Sequence, residues 1–274
     1  MKNVLSALLT TLLAVTVMAD TIDWNPEKTT KWHDETRHHF TVAGRPCWVT
    51  VPKTPRPGNP WVWCMIFPGA FETRTGVIPL VKDGFYFIHM DVGNTYGAPE
   101  ALDQMDAFYK FIVSKGLSKK GALLGISRGG LYVYRFATRN PERVTCIYGD
   151  SPVCDFKSWP GQKSGKSWED VKTLYGFKDD AEALAFRGNP VDTVETLAKA
   201  NIPLIHVVGD ADDVVPVSQN TAIIEQRYNA LGGSIEVFHK PGCGHHPHGL
   251  EDPTSVVNLI KTYTERAAAG CGCK

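Results

Sequence analysis

Neither sign of charge is in excess. Lys plus Arg and Asp plus Glu each number 29, so the formal net charge is zero. No basic block or stripe runs through the chain, which argues against nucleic acid as its principal partner. Beyond the N-terminus no apolar run is long enough to cross a bilayer, so stable membrane insertion is not expected. No internal repeat is visible, which removes repeat architectures. What remains is a chain of 274 residues with 43% hydrophobic content, enough for one sizeable α/β domain and too little for two large ones.

The first residues form a different kind of segment. Lys2 supplies a positive charge, residues 4–17 are apolar apart from Ser6, Thr10, Thr11 and Thr16, and Val17-Met18-Ala19 offers a small residue for cleavage. This pattern predicts a signal peptide over residues 1–19, cleaved after Ala19, and a mature protein that is secreted or periplasmic. A membrane anchor is the competing reading, but the stretch is short for one. No cysteine stands at the cleavage site to carry a lipid.

Seven cysteines suit an oxidising compartment: Cys47, Cys64, Cys146, Cys154, Cys243, Cys271 and Cys273. The number is odd, so at least one has no partner within the chain. Cys64 and Cys146 sit in strand-like apolar runs and read as buried thiols. Cys154 and Cys243 fall in loops after strands, where a bridge between them is one expectation. Cys271-Gly272-Cys273 lies in a C-terminal tail, residues 271–274. Two cysteines are a poor ligand set, and neither metal nor cofactor is expected.

The rest of the chain, residues 20–270, reads as one domain. A polar, irregular arm over residues 20–37 precedes an antiparallel hairpin, residues 38–42 and 46–51. Apolar strand-like runs follow at residues 61–67, 84–92, 122–126, 144–148, 203–208 and 234–239. Helical spacing appears at residues 100–114, 218–231 and 254–266. Strands alternating with helices predict a mostly parallel central sheet with helices on both faces. Residues 155–191 break this rhythm with a polar stretch bearing Trp159 and Trp168. They read as a small cap or lid over the strand ends, or else as a ragged crossover.

Between the strand ending at Ile126 and the helix starting near Leu131 stands Gly125-Ile126-Ser127-Arg128-Gly129. Gly-x-Ser-x-Gly at a strand-to-helix junction is the nucleophile-elbow pattern. A serine on a strained turn needs neighbours without Cβ atoms, and the helix N-terminus beyond it favours an oxyanion. Serine is a poor nucleophile without a base, and the base needs an orienting acid. Two later loops offer them in order. Gly209 to Pro216 carries Asp210, Asp212 and Asp213; Gly242 to His248 carries His245, His246 and His248. Asp150 and Asp155, after an earlier strand, compete with Asp212 for the acid's place.

With these residues in view, the chain resembles the α/β-hydrolase superfamily, in particular small exported esterases of the dienelactone-hydrolase and prolyl-oligopeptidase-like branch, over residues 61–263. The resemblance implies an α/β-hydrolase fold with a small cap and the triad Ser127, Asp212 and His245. It also implies an oxyanion hole from the backbone N–H groups of Arg128 and Ala70, with Phe71 as the alternative to Ala70. Arg128 after the serine is similar to the Gly-Cys-Ser-Arg-x-Gly-Lys of glucuronoyl esterases, although Ile126 and Leu131 replace the Cys and Lys. Trp159, Arg128 and His246 are the substrate-binding candidates, with core packing the competing role for Trp159. The activity implied is hydrolysis of a carboxylic ester through an acyl-enzyme, on a small-molecule or polysaccharide ester of acetyl, methyl or uronoyl type. A peptidase or a lipase is the competing enzymatic reading, and a non-catalytic binding protein on a hydrolase scaffold the competing class.

Overall fold

The structure, a computed structural model, describes residues 22–161 and 165–270. The expected signal peptide, Cys271 and Cys273 lie outside the described residues. β1 (Lys28–Trp32), β2 (Glu35–Val42) and β3 (Arg45–Val51) form an antiparallel meander. β4 (Trp61–Cys64), β5 (Tyr86–Met90), β6 (Gly121–Ile126), β7 (Val144–Asp150), β8 (Leu204–Gly209) and β9 (Ile235–Lys240) pair in parallel, and β3 joins this block antiparallel to β5. The sheet runs β1-β2-β3-β5-β4-β6-β7-β8-β9 from edge to edge.

β1 corrects the expectation of an irregular arm over residues 20–37. Its sequence, Lys-Thr-Thr-Lys-Trp, buries only Trp32. An edge strand needs little apolar patterning because one side and part of both faces meet water.

β4 to β8 are buried along their whole length, as strands covered on both faces must be. Successive side chains fall alternately into two cores. Trp61, Trp63, Ile88 and Leu123 point into one, which α2 (Pro99–Ser114), α3 (Gly129–Arg139), α6 (Pro190–Lys199) and α7 (Thr221–Ala230) cover with Met105, Phe136, Leu197 and Ile224. Val62, Cys64, Phe87 and Leu124 point into the other, covered by α1 (Val77–Lys82) and α8 (Thr254–Ala269) with Leu80, Val81, Val256 and Ile260. Each such fully buried side chain contributes about 1.5–3 kcal/mol.

Residues 155–191 hold α4 (Gly165–Tyr175), α5 (Asp180–Ala185) and the start of α6. Phe156 is fully buried and packs against Tyr175, Phe177 and Phe186. The Arg135 guanidinium of α3 lies 4.9 Å over Tyr175. The aromatic kernel of this segment is continuous with the main core.

All five described cysteines are free thiols, so the Cys154–Cys243 bridge does not form. Cys154 is fully buried and its thiol donates to Pro152 O at 3.5 Å, whereas Cys243 is half-exposed. Burial pushes the Cys146 thiol up to about 12.

Two histidines are built into the sheet. His89 Nδ1 donates to Cys64 O at 2.8 Å. His206 lies between Tyr134 Oη at 2.7 Å and Thr221 Oγ1 at 3.0 Å. Burial holds them at about 4 and about 3 respectively. Both folded values lie below the unfolded one of about 6.5, so as the pH falls the unfolded chain takes up these protons first. Stability is therefore complete above about pH 6.5 and is lost as the pH falls toward the folded values, by roughly 2 kcal/mol per histidine at pH 5. Urea midpoints at pH 7.5 and pH 5 measure the loss, and His206→Gln should flatten the slope. Equal midpoints at the two pH values would contradict this account.

Candidate active site

Ser127 terminates β6 and has φ = 53°, a left-handed conformation that a serine rarely adopts. Three backbone hydrogen bonds fasten it. The Ser127 N–H donates to Asp150 O at 2.8 Å, and Ser127 O accepts from Gly130 N–H at 3.0 Å and Val153 N–H at 2.8 Å. A Cβ on Gly125 would lie 2.7 Å from Gly129 O, and one on Gly130 would lie 2.5 Å from Val153 O. A Cβ on Gly129 would meet nothing closer than Ile66 at 3.7 Å. The glycines that this turn requires are thus Gly125 and Gly130; Gly129, expected from the pattern, is the one with room.

Asp212 follows β8 and His245 follows β9, and the sheet delivers both to the same edge as Ser127. His245 Nε2 is 2.9 Å from Ser127 Oγ, and His245 Nδ1 is 2.7 Å from Asp212 Oδ2. The other carboxylate oxygen, Oδ1, accepts the N–H groups of Val214 at 3.0 Å and Val215 at 2.8 Å. Burial pushes the Asp212 carboxyl up, but the hydrogen bonds from His245 and Val215 more than reverse it and leave it below the usual carboxylate range. The two loops are pressed together. Ala211 N–H donates to Cys243 O at 2.8 Å, and a Cβ on Gly209 would lie 2.2 Å from Gly244 O. Asp210 instead pairs with His239 at 2.6 Å.

The other acid candidates are engaged elsewhere. Asp155 pairs with its neighbour Lys157, at 2.9 Å to the backbone N–H and 3.6 Å to Nζ. Asp150 is fully buried and accepts from Tyr148 Oη, His248 Nδ1 and Gly249 N–H, each at 2.7 Å. Its carboxylate orients His248 and not His245, although the sequence offered it as an alternative acid for the triad. That pair joins residues 98 apart, and nothing in the local pattern announces it. Asn220 was equally hidden. It falls within the stretch 218–231 read as helical, yet its side chain accepts the N–H groups of Cys154 and Asp155 and donates to Ser158 Oγ and Pro216 O. It thereby ties the chain after β7 to the Asp212 loop.

Of the oxyanion candidates, Ala70 is already occupied: its N–H donates to Phe67 O at 2.9 Å. The N–H groups of Phe71 and Arg128 make no hydrogen bond among the described residues. The Arg128 side chain donates from Nη2 to Asn94 Oδ1 at 2.5 Å and lies 4.8 Å over the Phe67 ring, while its buried Nε has no partner. Trp159 is half-buried, its ring 6.1 Å from that of Tyr96. The aromatic faces open to solvent are those of Phe67 and Phe71, with Val214 exposed on the Asp212 loop. His246 is exposed, 5.0 Å from the His245 ring and 6.0 Å from Phe71. Burial and its two imidazole neighbours lower its pKa.

A serine hydroxyl on an imidazole, with the far nitrogen on a carboxylate, is an arrangement that can activate oxygen for attack on a carbonyl. Comparison with known proteins agrees. Residues 89–265 match the prolyl oligopeptidase family. The chain is 28% identical over 182 residues to the pimeloyl-[acyl-carrier protein] methyl ester esterase of Legionella pneumophila (strain Paris), across 56% of this chain and 74% of that one. Among solved structures it is similar to the S-formylglutathione hydrolase from Agrobacterium tumefaciens, with a TM-score of 0.60 and 15% identity over 89% of this chain and 98% of that one. It is similar also to Porphyromonas gingivalis dipeptidyl peptidase 4, with a TM-score of 0.64 and 14% identity over 84% of this chain. There it spans 35% of the longer protein. At these identities the solved structures speak for the fold, and the family match, which covers well over half of the sequence, speaks for descent. The chain belongs to the prolyl oligopeptidase family and is a serine hydrolase with the α/β-hydrolase fold.

Proposed function

We propose that the protein hydrolyses carboxylic esters through an acyl-enzyme on Ser127, with His245 as general base and Asp212 as the acid that orients it. The observation that carries this reading is the unbroken contact from Ser127 Oγ to His245 to Asp212. In the first step Ser127 Oγ attacks the ester carbonyl and passes its proton to His245 Nε2. The N–H groups of Arg128 and Phe71 receive the oxyanion. His245 then protonates the leaving alcohol, and a water deprotonated by the same nitrogen releases the acid. The charge on Asp212 holds Nδ1–H in place and stabilises the imidazolium between the two proton transfers.

The substrate reading is an ester of a carbohydrate, of acetyl, methyl or uronoyl type, met by an exported protein after removal of residues 1–19. Two features favour it. The exposed rings of Phe67 and Phe71 flank the Ser127 site, and flat aromatic faces suit sugar rings. Arg128 sets a guanidinium in the loop beside the serine, a group suited to an acidic or carbonyl oxygen of the substrate. Trp159, packed beside Tyr96, serves the cap segment more than the sugar. The methyl ester esterase relative is in keeping with ester chemistry.

The test is a panel of p-nitrophenyl acetate, acetylated, methylated and uronoyl sugars, and peptide p-nitroanilides. We expect turnover of esters, highest on the sugar esters. Turnover of the peptides alone would move the assignment to a peptidase. Ser127→Ala should lower kcat about a thousandfold or more and abolish fluorophosphonate labelling. Comparable rates in the variant would refute the nucleophile. Intact mass of the exported protein should place its N-terminus at Asp20.

The two buried aspartates should separate cleanly. Asp212→Asn is expected to lower kcat roughly 10³- to 10⁴-fold with little change in folding stability, because only the imidazole's tautomer and charge support are lost. Asp150→Asn faces three donors with one acceptor too few, so it should cost about 3 kcal/mol of stability in urea titrations. A collapse of kcat in the folded Asp150 variant, with Asp212→Asn near normal, would transfer the acid's role.

A further inference from the structure

The ester mechanism uses one imidazole of a loop that carries three. One ring nitrogen from each of His245, His246 and His248 lies within 4.8 Å of the other two. The ring centroids are 4.8–5.0 Å apart. We propose that these three histidines bind a borderline transition-metal dication, with Zn²⁺ as the representative, and that its binding silences Ser127. The silencing half rests on the reading of Ser127 and His245 as the hydrolytic pair; the binding half does not.

The strongest argument is what stands behind the rings. His245 Nδ1 is held by Asp212 and His248 Nδ1 by Asp150, both at 2.7 Å, and all four side chains are buried. A buried carboxylate on one nitrogen orients the ring and turns the other nitrogen's lone pair outward, which is how metal-ligating histidines are supported. Here the arrangement occurs twice, on neighbouring rings. The third ring, His246, makes no side-chain hydrogen bond among the described residues and is exposed, so it is free to turn. Tetrahedral zinc with Zn–N bonds of about 2.0–2.1 Å needs nitrogens roughly 3.3 Å apart. A rotation of His246 and a small shift of the other two would close the gap.

Charge and rigidity point the same way. Two carboxylates lie directly behind the rings, a setting that favours a dication. Two cations at this loop, Lys240 and Arg74, hydrogen-bond its backbone carbonyls and not its rings. Lys240 Nζ donates to Pro247 O at 2.6 Å, and Arg74 Nε donates to His248 O at 2.9 Å. With Gly249 N–H on Asp150, the loop is fastened on both sides of His248.

Silencing follows from the atoms involved. The His245 nitrogen left open by Asp212 is Nε2, which lies 2.9 Å from Ser127 Oγ. A metal on that lone pair removes the acceptor for the serine proton. Ser127 and the metal therefore compete for one nitrogen, and the fourth coordination position falls to water.

The experiment is Zn²⁺ titration by calorimetry on the full chain, the Ser127→Ala, His246→Ala and His248→Gln variants and the His246→Ala/His248→Gln double variant, with inhibition referred to each protein's own metal-free rate. Ser127→Ala cannot hydrolyse, yet keeps all three rings, so it reads binding independently of activity. We expect one zinc per chain, affinity in Ser127→Ala at least equal to that of the native chain, and inhibition that EDTA reverses and Mg²⁺ does not produce. Each histidine substitution should weaken binding roughly tenfold or more. Absence of stoichiometric binding to Ser127→Ala, or undiminished affinity in the double variant, would overturn the site. Stoichiometric binding with hydrolysis fully retained would overturn the silencing.

Discussion

The backbone of Ser127 stands at φ = 53°, and much of the surrounding structure is arranged to hold it there. A residue kept in that region costs about 1–3 kcal/mol unless its neighbours over-determine it. The determination comes from the adjacent strand and the chain just after it: the serine N–H is bound to Asp150 O, and its carbonyl to Val153 N–H. β7 must therefore run parallel to β6 and end in register with it, Asp150 opposite Ile126. Gly130 must lack a side chain so that the chain after β7 can lie against the start of α3. The serine hydroxyl reaches His245 because this turn holds it clear of the sheet.

Asp150 links that turn to the rest of the site. Its carbonyl holds the Ser127 N–H, and its carboxylate holds His248 and Gly249. One buried residue thus positions the nucleophile from its backbone and the histidine loop from its side chain. Asp212 performs the second half of the positioning from the opposite side, itself fixed by the Val214 and Val215 N–H groups. Each carboxylate carries an imidazole, but only the one on Asp212 faces the serine.

The sequence was informative where chemistry and local pattern coincide. Ser127, Asp212 and His245 stand at the ends of β6, β8 and β9, whose runs are apolar enough to read as buried strands, and their chain order left few alternatives. The meander's inner strands, α2, α7 and α8 were legible from periodicity for the same reason. β1 was not, because an edge strand that buries one residue in five has no apolar rhythm. α1, only six residues long, gives too little pattern to read. The partner of Asp150 and the latch at Asn220 depend on contacts between distant segments. The occupied Ala70 N–H depends on a turn closing onto Phe67. Spacing that identifies a loop does not identify which of its donors remains open. Gly129 and Gly130 show the same limit, since adjacent glycines differ only in what the fold brings against them.

Gly209 has an implication for recognising activity among relatives. The acid loop and the histidine loop touch there so closely that no Cβ fits against Gly244 O. A relative with alanine at this position would retain serine, aspartate and histidine in their places along the chain, while the two loops carrying acid and base would be wedged apart. An inventory of triad residues would count such a protein as an enzyme. In such a relative the activity would be lost through a residue that carries no functional group.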